Sequence, residues 1–332
     1  MKKIIATLLT IVTCLCTLGI FSSCSDETTE IRIGYLQGPT GMGMAKLIND
    51  NGGQSGNEKY SFINYQNDTE KAKADLSLGN VDIICVPTNE AAAYHAKNDD
   101  TVVLAVNCLN SLYLVSDKNS SVTSLADLEG KTVYTCKNGT PKMILDYVIK
   151  ELGLNITVST STPDGKVMAK PADVKNQMVN VGDLPYVVLP EPIITAAQLE
   201  IQKNGNTNIA YSVDVNFSDE WEKISDTPAA MGCIITTKKF ANDNAKAIEA
   251  FLKEYKASIE FTGNEENLDL AAKYVAEAQI MAAEAPAKKA LGNLGSAISY
   301  IDGANMKDTL EAFYAALGIA LPDDGFYYEA NK

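Results

Sequence analysis

Alternating strand and helix patterns constrain the fold of this chain more than any other feature of its sequence. Residues 31–36, 60–65 and 81–86 are apolar runs of strand length, and a segment with helical spacing or capping residues follows each of them. The run at 81–86 is almost continuously apolar, as expected for a strand that is buried on both faces. Because strands that alternate with helices form mainly parallel sheets, the sequence predicts an α/β fold.

The same alternation returns in the middle of the chain. Residues 132–135 and 186–189 are predicted strands, and residues 138–154 form an amphipathic helical segment between them. The last third is mainly helical, with apolar stripes at helical spacing over 248–259 and 310–317 that are typical of core faces. The sequence therefore predicts two successive α/β units and a helical C-terminal portion.

The first 24 residues have the layout of an export signal. Two lysines precede the apolar run 4–21, and two serines then precede Cys24. This layout resembles the lipobox of bacterial lipoproteins, in which the cysteine is lipidated and becomes the first residue of the mature protein. The alternative is a transmembrane anchor, but the run barely reaches the roughly 20 residues that are needed. We expect a signal peptide at 1–23, lipidation at Cys24 and a polar tether at 24–30.

Such an anchor would hold the protein on the cell membrane, facing the periplasm or the cell exterior.

The formal net charge of −14 disfavours nucleic acid as a partner. Rare residue types exclude several catalytic centres, because the chain has one histidine, His95, and one arginine, Arg32. A Ser-His-Asp triad, a histidine-rich zinc site and a bidentate arginine clamp are therefore not expected. We predict no cofactor, no metal and no catalytic residue.

The four cysteines beyond Cys24 lie in apolar, strand-like surroundings, and none forms a CxxC pair; they are Cys85, Cys108, Cys136 and Cys233. Buried thiols that act as small apolar side chains are the expected state. A disulfide stays open, since an exported protein meets oxidising conditions and spacing alone does not define a pairing.

Several stretches, taken in order, resemble one family. The glycine-rich loop 38–43 follows the first strand, residues 124–133 contain a Leu-x-Asp-Leu-x-Gly-Lys-x-Val run, and residues 188–192 read Val-Leu-Pro-Glu-Pro. Together with 240–255 and the tail 321–328, they resemble the type II periplasmic-binding-protein fold of ABC importers. The similarity is greatest to the nitrate/sulfonate/taurine or thiamine-precursor-like branch, and it covers about residues 31–328.

This resemblance implies two α/β lobes joined by two crossovers. Lobe one would comprise 31–108 and 213–332, and lobe two would comprise 109–212. Ligands of such folds lie in the cleft at the carboxyl ends of the strands, and hinge closure traps them. The resemblance further implies a small-molecule ligand, an ABC permease in the membrane as partner, and a monomeric state.

The candidate ligand-binding residues follow predicted strands, begin predicted helices or lie at the first crossover. They are Gln37, Gly38, Thr40, Gly41, Met42, Thr88, Asn89, Asn107, Asn110, Asn138, Gly139, Thr140 and Glu191. Their amides, hydroxyls and backbone N–H groups at helix N-termini suit directional hydrogen bonding to a small neutral or singly charged ligand. Ordinary helix capping is the alternative role for several of them, including Glu191.

The predicted function is that of a solute-binding lipoprotein of an ABC importer, and not that of an enzyme. One alternative is a sensor domain that binds without transport. The other is an enzyme on the same fold, but the pyrimidine-synthase relatives carry a cysteine-rich motif and an essential histidine, and here His95 stands alone. The ligand stays open among sulfonate, nitrate, vitamin precursors and amino-acid-like compounds. A cationic or aromatic amine would favour Glu191 and the tyrosines.

Overall fold

The computed structural model describes residues 30–205 and 207–329, so the predicted signal peptide and Cys24 lie outside the described residues. Ten strands form two sheets of five strands each within this part of the chain. The strands are β1 (Ile31–Tyr35), β2 (Tyr60–Asn64), β3 (Ile83–Pro87), β4 (Thr101–Cys108), β5 (Leu112–Asp117), β6 (Thr132–Tyr134), β7 (Thr157–Ser159), β8 (Tyr186–Pro190), β9 (Tyr211–Asn216) and β10 (Gly232–Thr237).

Helices separate most of these strands and fill the C-terminal third. They are α1 (Pro39–Met42), α2 (Ala45–Asp50), α3 (Thr69–Leu78), α4 (Thr88–His95), α5 (Thr140–Glu151), α6 (Pro171–Asn180), α7 (Ile193–Lys203), α8 (Phe217–Glu222), α9 (Lys238–Asp243), α10 (Ala245–Thr262), α11 (Leu268–Glu277), α12 (Glu284–Leu294) and α13 (Gly303–Ala316). Local signals set some of these bounds: Asp68 caps the start of α3, and Gly79 ends it in the left-handed conformation.

The two sheets have related strand orders, β2-β1-β3-β10-β4 and β7-β6-β8-β5-β9. In the first, β1 is parallel to β2 and β3, whereas β10 runs antiparallel between β3 and β4. In the second, β6 is parallel to β7 and β8, and β5 runs antiparallel between β8 and β9. The predicted α/β fold class is confirmed, with two lobes and a helical C-terminal portion; the sheets are mixed, since one strand in each runs opposite to the other four.

We call the first sheet with its packed helices lobe one, and the second sheet with its helices lobe two. The chain leaves lobe one at Cys108, where β4 ends, and β5 begins lobe two at Leu112. It returns between the end of β9 at Asn216 and the start of β10 at Gly232. The predicted return boundary, between residues 212 and 213, falls inside β9, which pairs with β5 in the second sheet.

One apolar core continues from lobe one into lobe two on the side where the two connections run. Trp221 of α8 lies in this core at 1% exposure and donates a hydrogen bond from Nε1 to the Thr227 carbonyl. Its ring centroid lies 5.2 Å from that of Tyr147 on α5 and 5.6 Å from that of Phe313 on α13. Trp221 therefore packs helices of both lobes together.

The four cysteines beyond Cys24 are buried and unbridged in the structure. Burial raises the pKa of the Cys85 and Cys108 thiols to about 12, so neither is a thiolate near neutral pH. Among the helices of residues 30–205 and 207–329, none combines the length and the apolar character that spanning a membrane would require.

Candidate functional site

The loop between β1 and α1 is built around two glycines. Gly38 has a φ of +124°, which other residues rarely adopt, and its carbonyl accepts hydrogen bonds from the backbone N–H groups of Gly41 and Met42. A Cβ on Gly41 would overlap the carbonyl oxygen of Leu36, so the chain turns back here only because position 41 has no side chain. The loop therefore places its backbone close to the carboxyl end of β1.

Two residues of this predicted loop have structural contacts of their own. The Met42 side chain is fully buried in the core of lobe one. The Gln37 side chain donates from Nε2 to the carbonyl of Gln279, at 3.1 Å, within the same lobe. Ligand contacts by Gln37 and Met42 stay predictions.

Gly232, at the start of β10, is the point around which the lobe-one residues converge. It lies opposite Pro87 on β3 and opposite Cys108 on β4. A Cβ on Gly232 would lie 2.5 Å from Cγ2 of Thr40 and 2.7 Å from Oδ1 of Asn107. The absence of a side chain at 232 therefore lets the first loop and the end of β4 meet.

Asn107 is 1% exposed, and its amide has a fixed orientation. Its Nδ2 donates to the carbonyl of Thr40 and to the hydroxyl of Tyr255, both at 2.9 Å. Because a carbonyl oxygen only accepts, Nδ2 and not Oδ1 must face Thr40. The Oδ1 atom is buried and has no hydrogen-bond partner among the described residues.

Asn110 lies on the three-residue link between β4 and β5 and is 2% exposed. Its Oδ1 accepts from the backbone N–H of Leu112 at 3.1 Å, which leaves Nδ2 buried without a partner. Asn89, in the first turn of α4, has a buried Oδ1 that is likewise unpartnered. Three predicted site asparagines thus carry open hydrogen-bonding atoms, although buried polar atoms are usually paired.

Thr88 begins α4 and is fully buried. Its hydroxyl donates to the Ala230 carbonyl at 2.6 Å, and its backbone N–H donates to the Met231 carbonyl. Its own carbonyl accepts from the hydroxyl of Tyr314 at 2.9 Å. These bonds fix the start of α4 beside β10, so Thr88 positions the next residue, Asn89. Ligand contact by Thr88 itself stays a prediction.

The predicted lobe-two residues lie at the start of α5. Asn138 and Gly139 are exposed, and Thr140 is 7% exposed. The backbone N–H of Asn138 donates to the Ala169 carbonyl in the same lobe. No side chain caps the start of α5, which leaves its first backbone N–H groups available for a ligand.

Glu191 is fully buried at the end of β8, and both of its carboxylate oxygens are occupied. Oε2 accepts from the backbone N–H of Thr195 at 3.2 Å, and Oε1 accepts from the Thr195 hydroxyl at 3.0 Å. Oε1 also accepts from Nδ2 of Asn293 at 2.5 Å. Burial raises the pKa of Glu191, although these hydrogen bonds favour its charged form. Glu191 thus interacts with the start of α7, a capping role that the sequence left open.

Asn293 joins the two lobes across the cleft, and the sequence analysis missed it. It lies on α12, whose apolar residues pack in the core of lobe one. Its side chain binds Glu191, and its carbonyl accepts from the hydroxyl of Tyr113 on β5. Nearby, a Cβ on Gly38 would lie 3.7 Å from Cδ of Pro192, so loops of both lobes are in contact. The structure is therefore closed at this edge of the cleft.

The one arginine and the one histidine of the chain, Arg32 and His95, do not belong to the candidate site residues. Arg32 forms a two-pronged ion pair with Asp82, at 2.9 and 2.6 Å, near the amino ends of β1 and β3. The expectation of no bidentate arginine clamp is therefore wrong for this pair within the protein, because Asp82 directly precedes β3 beside Arg32. His95 ends α4, the helix that starts at Thr88, and lies near Asp99 and Asp323. These three residues are the one group among those described whose spacing could hold a metal ion.

We expect Gly232→Ala to lower the free energy of unfolding by about 1–3 kcal/mol, because the added Cβ would crowd Thr40 and Asn107. Urea unfolding measures this change. Gly292→Ala is the matched control. Gly292 lies inside α12, and a Cβ there would lie 4.0 Å from the nearest side-chain atom, Cδ2 of Leu268. It should leave stability unchanged or raise it by about 0.4–1 kcal/mol. Equal effects of the two substitutions would contradict the crowding argument.

We expect Asn293→Ala to weaken lobe closure by about 1–3 kcal/mol, because the buried Glu191 carboxylate loses its donor from the other lobe. The penalty should grow as the pH rises through the raised pKa of Glu191, where the carboxylate becomes charged. Small-angle X-ray scattering should show a larger radius of gyration than for the wild type. Asn180→Ala, at an exposed helix end, is the control. An unchanged radius at neutral pH would show that Asn293 does not hold the lobes together.

Comparisons with known proteins agree with this architecture. Residues 62–181 match the sequence model of the family described as NMT1/THI5 like. An ABC transporter structure from Parabacteroides distasonis superposes with a TM-score of 0.70 at 19% identity, covering 91% of this chain and 100% of that chain. A search of the curated proteins gave no match.

Two further structures are similar. The periplasmic aliphatic sulphonate binding protein SsuA from Escherichia coli has a TM-score of 0.65 at 18% identity, with 91% of this chain and 93% of that chain covered. The periplasmic nitrate-binding protein NrtA from Synechocystis has a TM-score of 0.58 at 14% identity, with 87% and 81% covered. The predicted resemblance is therefore confirmed: the chain has the two-lobed fold of ABC-transporter binding proteins, and its residues 62–181 carry the NMT1/THI5-like sequence pattern.

Proposed function

We propose that this chain binds a small molecule in the cleft between its lobes and delivers it to the permease of an ABC importer. The observation that carries the proposal is the set of open amide atoms on Asn89, Asn107 and Asn110. Two of these side chains are 1–2% exposed, and backbone partners fix their orientation. A buried polar atom without a partner costs about 1–3 kcal/mol, which a ligand that bonds to it would recover.

The position of these atoms supports the proposal. Asn89 follows β3, Asn107 is the last residue but one of β4, and Asn110 lies on the link to lobe two. Open α/β sheets generally bind ligands beyond the carboxyl ends of their strands, and a location near these ends supports ligand binding by the three asparagines. The similarity to the aliphatic sulphonate binding protein and to the nitrate-binding protein supports a small solute as the ligand class.

Transport without catalysis fits the chemistry of the described residues. Burial keeps the four thiols protonated, since it raises the pKa of each of them. The Glu191 carboxylate is occupied by donors, and His95 lies at the far end of α4 from the site. The alternative function is that of a sensor that binds the same ligand without transport. Transfer of the ligand from this protein to an ABC permease would exclude the sensor function.

Binding is tested with the purified full chain by thermal unfolding against alkanesulfonates, nitrate, amino acids, amides and ureas. A ligand at 100 times its dissociation constant should stabilise the protein by about 2.7 kcal/mol. One compound that raises the unfolding temperature, and is recovered unchanged, is the expected result. A compound consumed during incubation would instead indicate an enzyme. If the protein is folded and no compound raises its unfolding temperature, the result would count against binding.

The proposal includes a lipid anchor at Cys24 that keeps a monomeric protein beside its permease on the outer side of the membrane. The support is the lysine pair, apolar run and small residues that precede Cys24. We expect mass spectrometry of the membrane-bound protein to find an N-terminus at residue 24 with a lipid on Cys24, and Cys24→Ala to abolish this lipid. A membrane-bound protein that keeps residues 1–23 and carries no lipid on Cys24 would indicate a transmembrane leader instead; Cys85→Ala controls for the loss of a thiol.

A further inference from the structure

We infer that the ligand is an uncharged molecule that presents two hydrogen-bond donors and one acceptor to lobe one. This inference rests on the proposed function and names its substrate class. It follows from which atom of each asparagine amide is used inside the protein and which atom is left open. The open atoms are Oδ1 of Asn89, Oδ1 of Asn107 and Nδ2 of Asn110.

Two of the three amide orientations are set by groups that have only one hydrogen-bonding role. The Thr40 carbonyl only accepts, so the Asn107 atom that meets it is the donor Nδ2. The Leu112 backbone N–H only donates, so the Asn110 atom that meets it is the acceptor Oδ1. Rotating either amide by 180° would lose a bond to the backbone. The open atoms of this pair are therefore one acceptor, on Asn107, and one donor, on Asn110.

Asn89 and Asn107 lie at one edge of the first sheet, and Asn110 lies on the link that leaves this edge for lobe two. Gly232 of β10 lies opposite Pro87, two residues before Asn89, and opposite Cys108, which follows Asn107. The backbone N–H of Thr88 donates to the Met231 carbonyl, which keeps the start of α4 against the same strand. A single small molecule at this edge would meet two acceptors and one donor.

This polarity disfavours an oxyanion. Sulfonate and nitrate oxygens only accept hydrogen bonds, so they would face the oxygens of Asn89 and Asn107 as acceptor against acceptor. The open atoms carry no positive charge to offset that repulsion, and the one arginine is paired with Asp82 near the amino ends of the strands. A ligand with N–H or O–H donors, and with one acceptor for Asn110, satisfies all three atoms.

The first experiment compares matched sets of probes on the purified full chain by thermal unfolding. Uncharged primary amides, ureas and lactams form one set, and alkanesulfonates and nitrate form the other. We expect the strongest stabilisation from the uncharged set. A strongest response to a sulfonate or nitrate would overturn the inference while leaving the proposed binding function intact. A folded protein that responds to neither set would count against both.

The second experiment exchanges hydrogen-bonding roles with aspartate. Asn110→Asp keeps the acceptor for the Leu112 N–H but replaces the open donor, so we expect it to weaken binding of the best probe at least about tenfold at pH 8. Asn89→Asp keeps an acceptor at the open position, so affinity should stay within about threefold. Asn180→Asp, on an exposed helix end, controls for the added charge.

The two aspartate variants separate an uncharged ligand from an anion. For an anionic ligand, both substitutions at the site would weaken binding, because both add a negative charge beside it. Equal losses in Asn89→Asp and Asn110→Asp would therefore overturn the inference. Urea unfolding of each variant shows that the fold is intact.

Discussion

The candidate site depends on one structural constraint, the insertion of β10 between β3 and β4. This strand arrives after the chain has built the whole second sheet, and it runs antiparallel to both of its neighbours. Its first residue, Gly232, lies where Thr40 and Asn107 meet, and the preceding Met231 holds the backbone of Thr88. Without this strand, the carboxyl ends of β3 and β4 would not share one edge, and the three asparagines would have no common neighbour.

Local sequence signals predicted much of the fold. A helical segment after the second strand run was predicted, and it is the helix Thr69–Leu78, which Gly79 ends in the left-handed conformation. The strands β1, β2, β3 and β8 were also predicted to within two residues of their bounds. By contrast, β5, β9 and β10 were not identified as strands. Their pairing partners are distant in the chain, and nothing in a local apolar pattern indicates where an antiparallel strand will insert.

The site could be predicted in part for the same reason. Asn89, Asn107 and Asn110 follow strands or precede helices, so position along the chain was enough to nominate them, and their ligand contacts stay predictions. Gly232 and Asn293 gave no such signal. The role of Gly232 depends on two side chains from other elements, and Asn293 lies in an ordinary helical pattern. Which atom of each asparagine is left open also depends on backbone partners, and a sequence does not show these.

The link between the lobes has a mechanical consequence. Only residues 109–111 connect β4 to β5, and three residues span at most about 11 Å, so the sheets cannot separate at this point and must rotate about it. Asn110 lies within this pivot, and its amide is oriented by Leu112, the first residue of lobe two. Any torsion that opens the cleft therefore also turns the Asn110 donor. Residues 109–111 would therefore serve both as the hinge between the lobes and as the segment that carries one ligand-binding group, Asn110.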